Sequence, residues 1–598
     1  MNSSLTVERI NTDLCVIGGG LSGAFCALSA ARHGVKVVLM QDRPMLGGNA
    51  SSEIRMWVRG AKGKFDRESG LISELEERNI KSNPNLSSTL FDATLYDMVS
   101  ENENITLVMN TSCLDATMAG NSIKTVIGWQ TTTYKYVEVS AKIFADCSGD
   151  SILAPLANAE YRHGREGKSE YGEELAPDVA DSHTMGMSII LAARETDKPV
   201  PFTPPSFANV YPNDECFNDN AVKSVHAQIR DHKIHTSGGN LWWVELGGEG
   251  HSIYDADKVR HELLCAIYGV WDHIKNQGDH GMENWDIDWV GFLPGKRESR
   301  RYVGDYVMSE KDVISGGNFY DEVAYGGWPL DDHNPYGMRK NSEESSPSVM
   351  IPVKEIYGIP LRCLYSKNIE NLVFAGRNIS VTHCALSSTR VMATCALIGQ
   401  ATGSAVSLCI KYNENIRSVA TSRYAEVQRI LLDDGVFLPH VKRDCGKLIK
   451  NAKINISDKE KSVLLNGIER PRTDYDENNI IQKVGSSFVV NFDKSEYVDT
   501  LRIKLDADFE RLSISPNLKM RVFAMKLHTG KDFEPVKVSS RLVKAFSVYA
   551  DSKLVAKVEN NCYSLICLPI KTTASQIEIK WDESNGFDEF RVFSVDFI

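Results

Sequence analysis

Glycines at the first, third and sixth places of Gly18-Gly19-Gly20-Leu21-Ser22-Gly23 are the residues of this sequence with the most definite chemistry. In that spacing the first, Gly18, permits a tight turn. The second, Gly20, lets backbone approach a pyrophosphate, and the third, Gly23, lets a helix lie close on the preceding strand. Free N–H groups at the helix start, with the positive end of its dipole, favour an anion there. A ribose-binding acid is expected about 20 residues further on. The sequence offers Gln41-Asp42-Arg43: Gln41 could hydrogen-bond a diol, and Asp42 is the acidic alternative. A glycine pair follows in Leu46-Gly47-Gly48-Asn49-Ala50-Ser51-Ser52-Glu53, and two distant segments carry similar turns, Asp146-Cys147-Ser148-Gly149-Asp150 and Phe374-Ala375-Gly376-Arg377-Asn378-Ile379-Ser380.

The elements around these residues define the frame. Asp13–Ile17 is a short apolar run, Leu21–His33 is alanine-rich, Gly34 suits a helix C-terminus, and Val35–Met40 is apolar and β-branched. That order predicts a βαβ unit. Ile105–Val139 alternates apolar and polar residues and breaks at Ala119-Gly120-Asn121-Ser122, as a meander would. From about residue 161 to 360 the βαβ pattern gives way to a stretch rich in Gly, Pro, His and Trp. A buried strand returns at Ile369–Phe374 with a small-residue helix after it. Beyond Pro439, short alternating runs such as Ser487–Phe492 and Thr500–Leu505 predict an all-β sandwich. The expectation is an α/β protein: a Rossmann-like nucleotide domain in two parts, 11–160 and 361–440, a mixed substrate domain inserted over 161–360, and the sandwich over 441–598.

With these segments in order, the sequence resembles the glutathione-reductase-like flavoproteins. It resembles more narrowly the FAD-dependent oxidoreductases that carry a Gly-Gly-Asn-Ala-Ser-Ser-Glu segment, over about Asn11 to Lys411. The resemblance implies that the Gly47–Ser51 loop follows the pyrophosphate and ribityl chain and that Gly149-Asp150 forms a second nucleotide contact. It also implies that Gly376-Arg377, with Gly399-Gln400-Ala401-Thr402-Gly403, closes over the ribityl and isoalloxazine portions. It favours FAD over NAD, which would not need the returning Gly376 segment. FAD supplies the hydride acceptor, leaving protein groups to bind substrate and move a proton. His383, just past the third segment, is the first candidate for a general base or hydrogen-bonding partner, because histidine titrates near neutrality, and a structural histidine that ties down the loop is the alternative. Arg390 and Arg55 are candidates to hold an anionic or polar substrate atom or the flavin N1/O2 edge, and either could instead be a salt-bridge residue. Gly295-Lys296-Arg297-Glu298-Ser299-Arg300-Arg301 concentrates charge that either the family's arginine-rich stretch or a solvated strand end would explain.

Composition narrows the partners. A net charge of −12 gives no general nucleic-acid surface. Met1–Thr12 is polar where a secretory peptide needs an apolar core, and no run of about 18 apolar residues is evident, so a cytoplasmic protein without a membrane span is expected. No metal constellation or GxSxG elbow stands out. Trp242, Trp243, Trp271, Trp285 and Trp289 lie in the insert, where they could face sugar rings or fill a core. With a C-terminal sandwich resembling galactose-binding-like modules, they point to a small polar, carbohydrate-related substrate. The expected reaction is oxidation of a C–H bond beside a hydroxyl or amine. The alternatives are reduction of an activated double bond, a flavin-containing polysaccharide lyase like the relatives labelled xanthan lyases, and a carbohydrate-binding protein without catalysis. The oligomeric state is not legible.

Overall fold

The computed structural model describes residues 5–213, 216, 240–277, 280–339, 348–474, 477–509 and 535–598. Strand β1 (Val7–Ile17) leads through the glycine turn into helix α1 (Leu21–Arg32), and strand β2 (Val37–Met40) follows. Helices α2 (Leu71–Ser82) and α3 (Ser88–Ser100) precede strands β3 (Ile105–Val108), β4 (Thr111–Ala119), β5 (Ser122–Gln130) and β6 (Lys135–Asp146). Their sheet has the order β3-β2-β1-β6-β5-β4. β1 runs parallel to β2 and β6, and β2 parallel to β3, whereas β4, β5 and β6 form an antiparallel meander.

The chain comes back to this sheet after more than two hundred residues. Leu372–Phe374 pairs in parallel with the end of β6, placing Phe374 opposite Asp146. The strands that end at Ile17, Met40, Asp146 and Phe374 therefore open on one edge, the edge where parallel α/β sheets bind ligands. The last four residues of β1 and all four of β2 are buried, as strands covered on both faces must be.

The helix Met392–Tyr412 is long and apolar enough to cross a membrane by composition, which the reading of the sequence missed, yet it lies in the protein core against α1. Glycine permits that approach. A Cβ on Gly399 would stand 2.1 Å from the Ser22 carbonyl oxygen, and one on Gly403 would stand 2.3 Å from that of Cys26. The expectation that this glycine pair closes over the cofactor is thus corrected: its small residues bring two helices together.

The insert has its own core. Met187–Glu195 pairs with Asn240–Leu246, Trp285–Val290 and Gly295–Lys296, and the helix Ala256–Asp272 covers the sheet with Leu263, Ile267, Val270 and Trp271. Residues after about 300 behave differently, for Tyr302, Met308, Tyr325, Tyr357 and Ile359 join the core of the nucleotide unit. Trp271 and Trp285 fill the insert core, Trp289 lies under Arg55, and the side chains of Trp242 and Trp243 lie outside the described residues.

At the C-terminus the described strands form one seven-stranded antiparallel sheet. The runs Ser487–Phe492 and Thr500–Leu505, read as separate short strands, are parts of one strand of 19 residues, Ser487–Leu505. An irregularity between Asn491 and Glu496 absorbs the polar residues and bends the ladder. The sheet docks on the nucleotide unit through polar groups. Fully buried Arg502 donates to the carbonyls of Leu432 and Asp433 and pairs with Glu469 at 2.6 Å. Ser564 donates its backbone N–H to Glu77, whose carboxyl burial pushes up to about 7 against the influence of Lys504.

Candidate cofactor and substrate site

A cavity of about 720 Å³ runs from the open edge of the parallel sheet toward the insert. At one end lie Gly18, Gly20, Gln41, Asp42, Arg43, Gly47, Gly48, Asn49, Gly149, Asp150, Gly376 and Arg377, drawn from four separate stretches of chain.

Local geometry explains the glycines. Gly18 has φ +98°, and a Cβ there would stand 2.5 Å from the carbonyl oxygen of Cys147. A Cβ on Gly23 would collide with the Gly18 carbonyl at 1.8 Å, so this glycine serves the helix approach and does not line the cavity. Gly20 differs: the nearest atom to an added Cβ is Gly48 Cα at 4.0 Å. The backbone at Gly20 faces open space, as a pyrophosphate cradle requires.

Around the cradle the polar side chains are fixed. Gln41 accepts from Gly19 N–H at 2.6 Å and donates to the Met45 carbonyl at 3.0 Å, so it braces the turn while retaining one N–H for a ligand. Asp42 is exposed beside Arg43, which also faces Glu53 at 3.8 Å. Asn49 donates to the Lys296 carbonyl, tying the glycine-pair loop to the insert. Asp150 meets Lys296 at 2.6 Å and Arg377 at 2.8 Å; burial disfavours its charge, but the two cations hold its carboxyl at about 2. The Arg377 Nε is buried with no hydrogen-bond partner among the described residues while Arg377 lines the cavity. An anionic, hydrogen-bonding ligand such as FAD suits both the open glycine backbone and this unsatisfied donor.

Two expectations at this end change. Ser51 is buried and donates to the Gly48 carbonyl at 2.7 Å, closing the turn rather than lining the cavity. Arg55 adopts a left-handed φ of 61°, donates from Nε to the Ser52 carbonyl, and lies 4.2 Å over the Trp289 ring. It fastens the loop to the insert, outside the cavity lining.

The other end of the cavity holds Trp57, Arg59, Arg297, Trp328, Asp331, His333 and Arg390. Arg390 reaches the Asp331 carbonyl at 2.9 Å and its carboxylate at 3.4 Å. His333 lies between Glu245, 2.7 Å from Nδ1, and Asp331, 3.4 Å from Nε2. Arg297 completes the chain with Glu245 at 3.2 Å. Burial opposes the charge on both members of the cavity pair. Glu245 and Asp331 nevertheless raise the pKa of His333, and His333 with Arg390 holds the Asp331 carboxyl well below the usual range. Of this group the sequence reading had singled out Arg390 alone as a site residue. Leu330-Asp331-Asp332-His333 contains a histidine next to acids, a signal present in the sequence but without a partner until Glu245 is brought up.

His383 is placed elsewhere. It is buried, its Nδ1 2.9 Å from Glu298 and its Nε2 3.0 Å from Asp332, and it does not line the cavity. Burial lowers its affinity for a proton, but Glu298 and Asp332 outweigh it and push the pKa up to about 10. Because it does not line the cavity, His383 is not placed to take a proton from a molecule bound there. Fully buried Arg301, paired with Glu166 and Glu298, extends the network, so the Gly295–Arg301 stretch is not a solvated strand end.

Comparisons with known proteins agree with the site. Residues 13–431 match the family described as FAD dependent oxidoreductase. Glycerol-3-phosphate dehydrogenase of Mycobacterium leprae is 40% identical over 77 residues, 12% of this chain and 13% of that protein, and glycerol-3-phosphate dehydrogenase 2 of Mycobacterium tuberculosis is 41% identical over a stretch of the same length. The chain thus matches only a small part of these curated relatives. Among solved structures, a geranylgeranyl bacteriochlorophyll reductase-like protein from Thermoplasma acidophilum is similar at 12% identity and a TM-score of 0.30, over 71% of this chain and 86% of that one. E. coli quinol fumarate reductase FrdA is similar at 11% identity and a TM-score of 0.27, over 71% and 75%. Overlaps this loose carry no weight beside the family match, which spans most of the chain and every segment of the cradle. The chain belongs to the FAD dependent oxidoreductase family.

Proposed function

We propose that the enzyme oxidises a C–H bond beside a hydroxyl or amine of a small polar substrate bound among Trp328, Asp331, His333, Arg297 and Arg390. The observation that carries this reading is the Asp331–His333 pair, two titratable groups 3.4 Å apart that both line the cavity. FAD, when bound, supplies the hydride acceptor. Asp331 is held ionised and can accept a hydrogen bond from a substrate hydroxyl, while Arg390 and Arg297 donate to neighbouring oxygens. The proton released on oxidation is assigned to the pair as a unit, because groups this close titrate together. Trp57 and Trp328 present aromatic rings to the same space, which supports a saccharide as the polar substrate. The bent C-terminal sheet is read as part of a galactose-binding-like sandwich, supported by its wholly antiparallel pairing.

The test is anaerobic. Protein carrying FAD is mixed with candidate sugars and amines, and the flavin absorption is followed. Bleaching by a hydroxyl- or amine-bearing compound, with the oxidised product recovered, is the expected result. Protein that binds FAD yet is bleached by none, while its reduced form is reoxidised by an activated alkene, would reverse the assigned direction.

A further inference from the structure

Among the described residues, every Arg or Lys along the cavity except one has a carboxylate partner. Arg43 faces Glu53, Arg260 faces Asp257, Lys296 and Arg377 share Asp150, Arg297 faces Glu245 and Arg390 faces Asp331. Arg59 lines the same cavity, and among the described residues it has no ion pair or side-chain hydrogen bond; its guanidinium lies 4.9 Å from the centre of the Trp57 ring. It is partly buried, and burial lowers its pKa with no neighbouring carboxylate to oppose the shift.

The backbone that carries Arg59 is held from several sides. The Arg59 carbonyl accepts from Ala393 N–H at 2.9 Å, Ala61 N–H donates to Glu68, and Lys62 N–H donates to the Gly327 carbonyl. Glu68 is fixed in turn by Thr394. A cation with its side chain against an aromatic face and its main chain clamped loses little freedom on meeting a ligand, which favours affinity. An unpaired guanidinium withdrawn from water is costly unless an anion completes it.

We propose that Arg59 is the specificity determinant for an anionic substrate, one that carries a carboxylate or phosphate group at a distance from the carbon that is oxidised. This rests on the reading of the cavity given above. Arg59 supplies a planar fork of donors suited to two oxygens of such a group. The hydroxyl or amine end then lies toward Asp331 and His333, and a neutral sugar lacks the group that Arg59 is placed to meet.

The test uses protein loaded with FAD and three probes: acetate, inorganic phosphate and glycerol, each titrated while the flavin difference spectrum and the thermal midpoint are read. At least one anion is expected to bind more tightly than glycerol by about tenfold or more, the scale of a charge-assisted hydrogen bond. Acetate against phosphate tells which oxyacid is preferred. Arg59→Gln should abolish the preference with FAD content unchanged, and Arg59→Lys should restore part of it, which separates loss of charge from loss of fold. The inference is overturned if neither anion binds, if glycerol binds equally well, or if Arg59→Gln keeps the anion preference. It is also overturned if the substitution changes FAD content or flavin potential while leaving anion binding alone, since Arg59 would then serve the cofactor. Failure of the wild-type protein to hold FAD would instead strike at the reading of the cavity itself.

Discussion

His333 and His383 are each buried, each set between two carboxylates, and fifty residues apart in sequence. What separates them is where the acids face. Asp331, the partner of His333, lines the cavity, and so does His333 itself. Glu298, the partner of His383, is turned to Arg301, and that network joins the loop after Phe374 to residues 166, 298 and 332. The same chemical pattern therefore sits in two settings: one histidine faces the cavity, where the proposed reaction would use it, and the other holds a charged clasp between distant stretches of chain.

The comparison is most exposed to the substitution His333→Asn. With FAD still bound, the flavin-reduction rate should fall by roughly a hundredfold or more, the usual scale for loss of an acid–base group. A wild-type rate in stopped-flow measurements would return His333 to a structural role. His383→Asn should do the reverse. Removing one member of a buried ionic network costs about 3–5 kcal/mol of stability, read as a lowered urea midpoint, while turnover per bound FAD stays within a few-fold. A variant of full stability that has lost turnover would merge the two regions into one site.

A smaller effect follows from pH. Between 6.5 and about 10 folded His383 retains a proton that the unfolded chain has released. Its contribution is complete below 6.5 and disappears as pH rises through about 10. Stability should decline across that window by up to about 1.4 kcal/mol per pH unit for the one proton. Urea titrations should show the slope in the wild type and a shallower one in His383→Asn; identical slopes would remove the histidine from the account. The smallest effect concerns the helix that begins at His383. Thr382 caps it by accepting from Ala385 N–H at 3.2 Å and also donates to Glu173. Thr382→Ala should cost about 1 kcal/mol in thermal or urea unfolding and leave turnover intact. A large loss of turnover would mean that the clasp positions the cavity as well as stabilising the fold.

Much of the nucleotide half was legible before any contact was known. The glycine spacing, the apolar runs on either side and the return at Gly376 are local patterns, and each reports a backbone geometry set by sterics: φ +98° at Gly18, open backbone at Gly20, φ +114° at Gly376. The small-residue helix read from about Ser387 to Tyr412 begins instead at Met392, after a separate short helix over His383–Thr389. Less visible was the division inside the insert. Composition placed residues up to 360 in one unit, whereas Tyr325, Tyr357 and Ile359 bury themselves with the nucleotide core.

The sequence by itself determined where a pyrophosphate could approach the main chain, because that depends on which side chains are missing over a few consecutive residues. Tertiary structure alone decided which titratable groups meet. His383 follows the cofactor segment closely in sequence, yet its ionisation is set by Glu298 and Asp332, 85 and 51 residues away. His333 carries no motif, and Glu245 reaches it from 88 residues upstream. Charge in a buried site depends on distance and on exclusion of water, and neither is written in the order of residues.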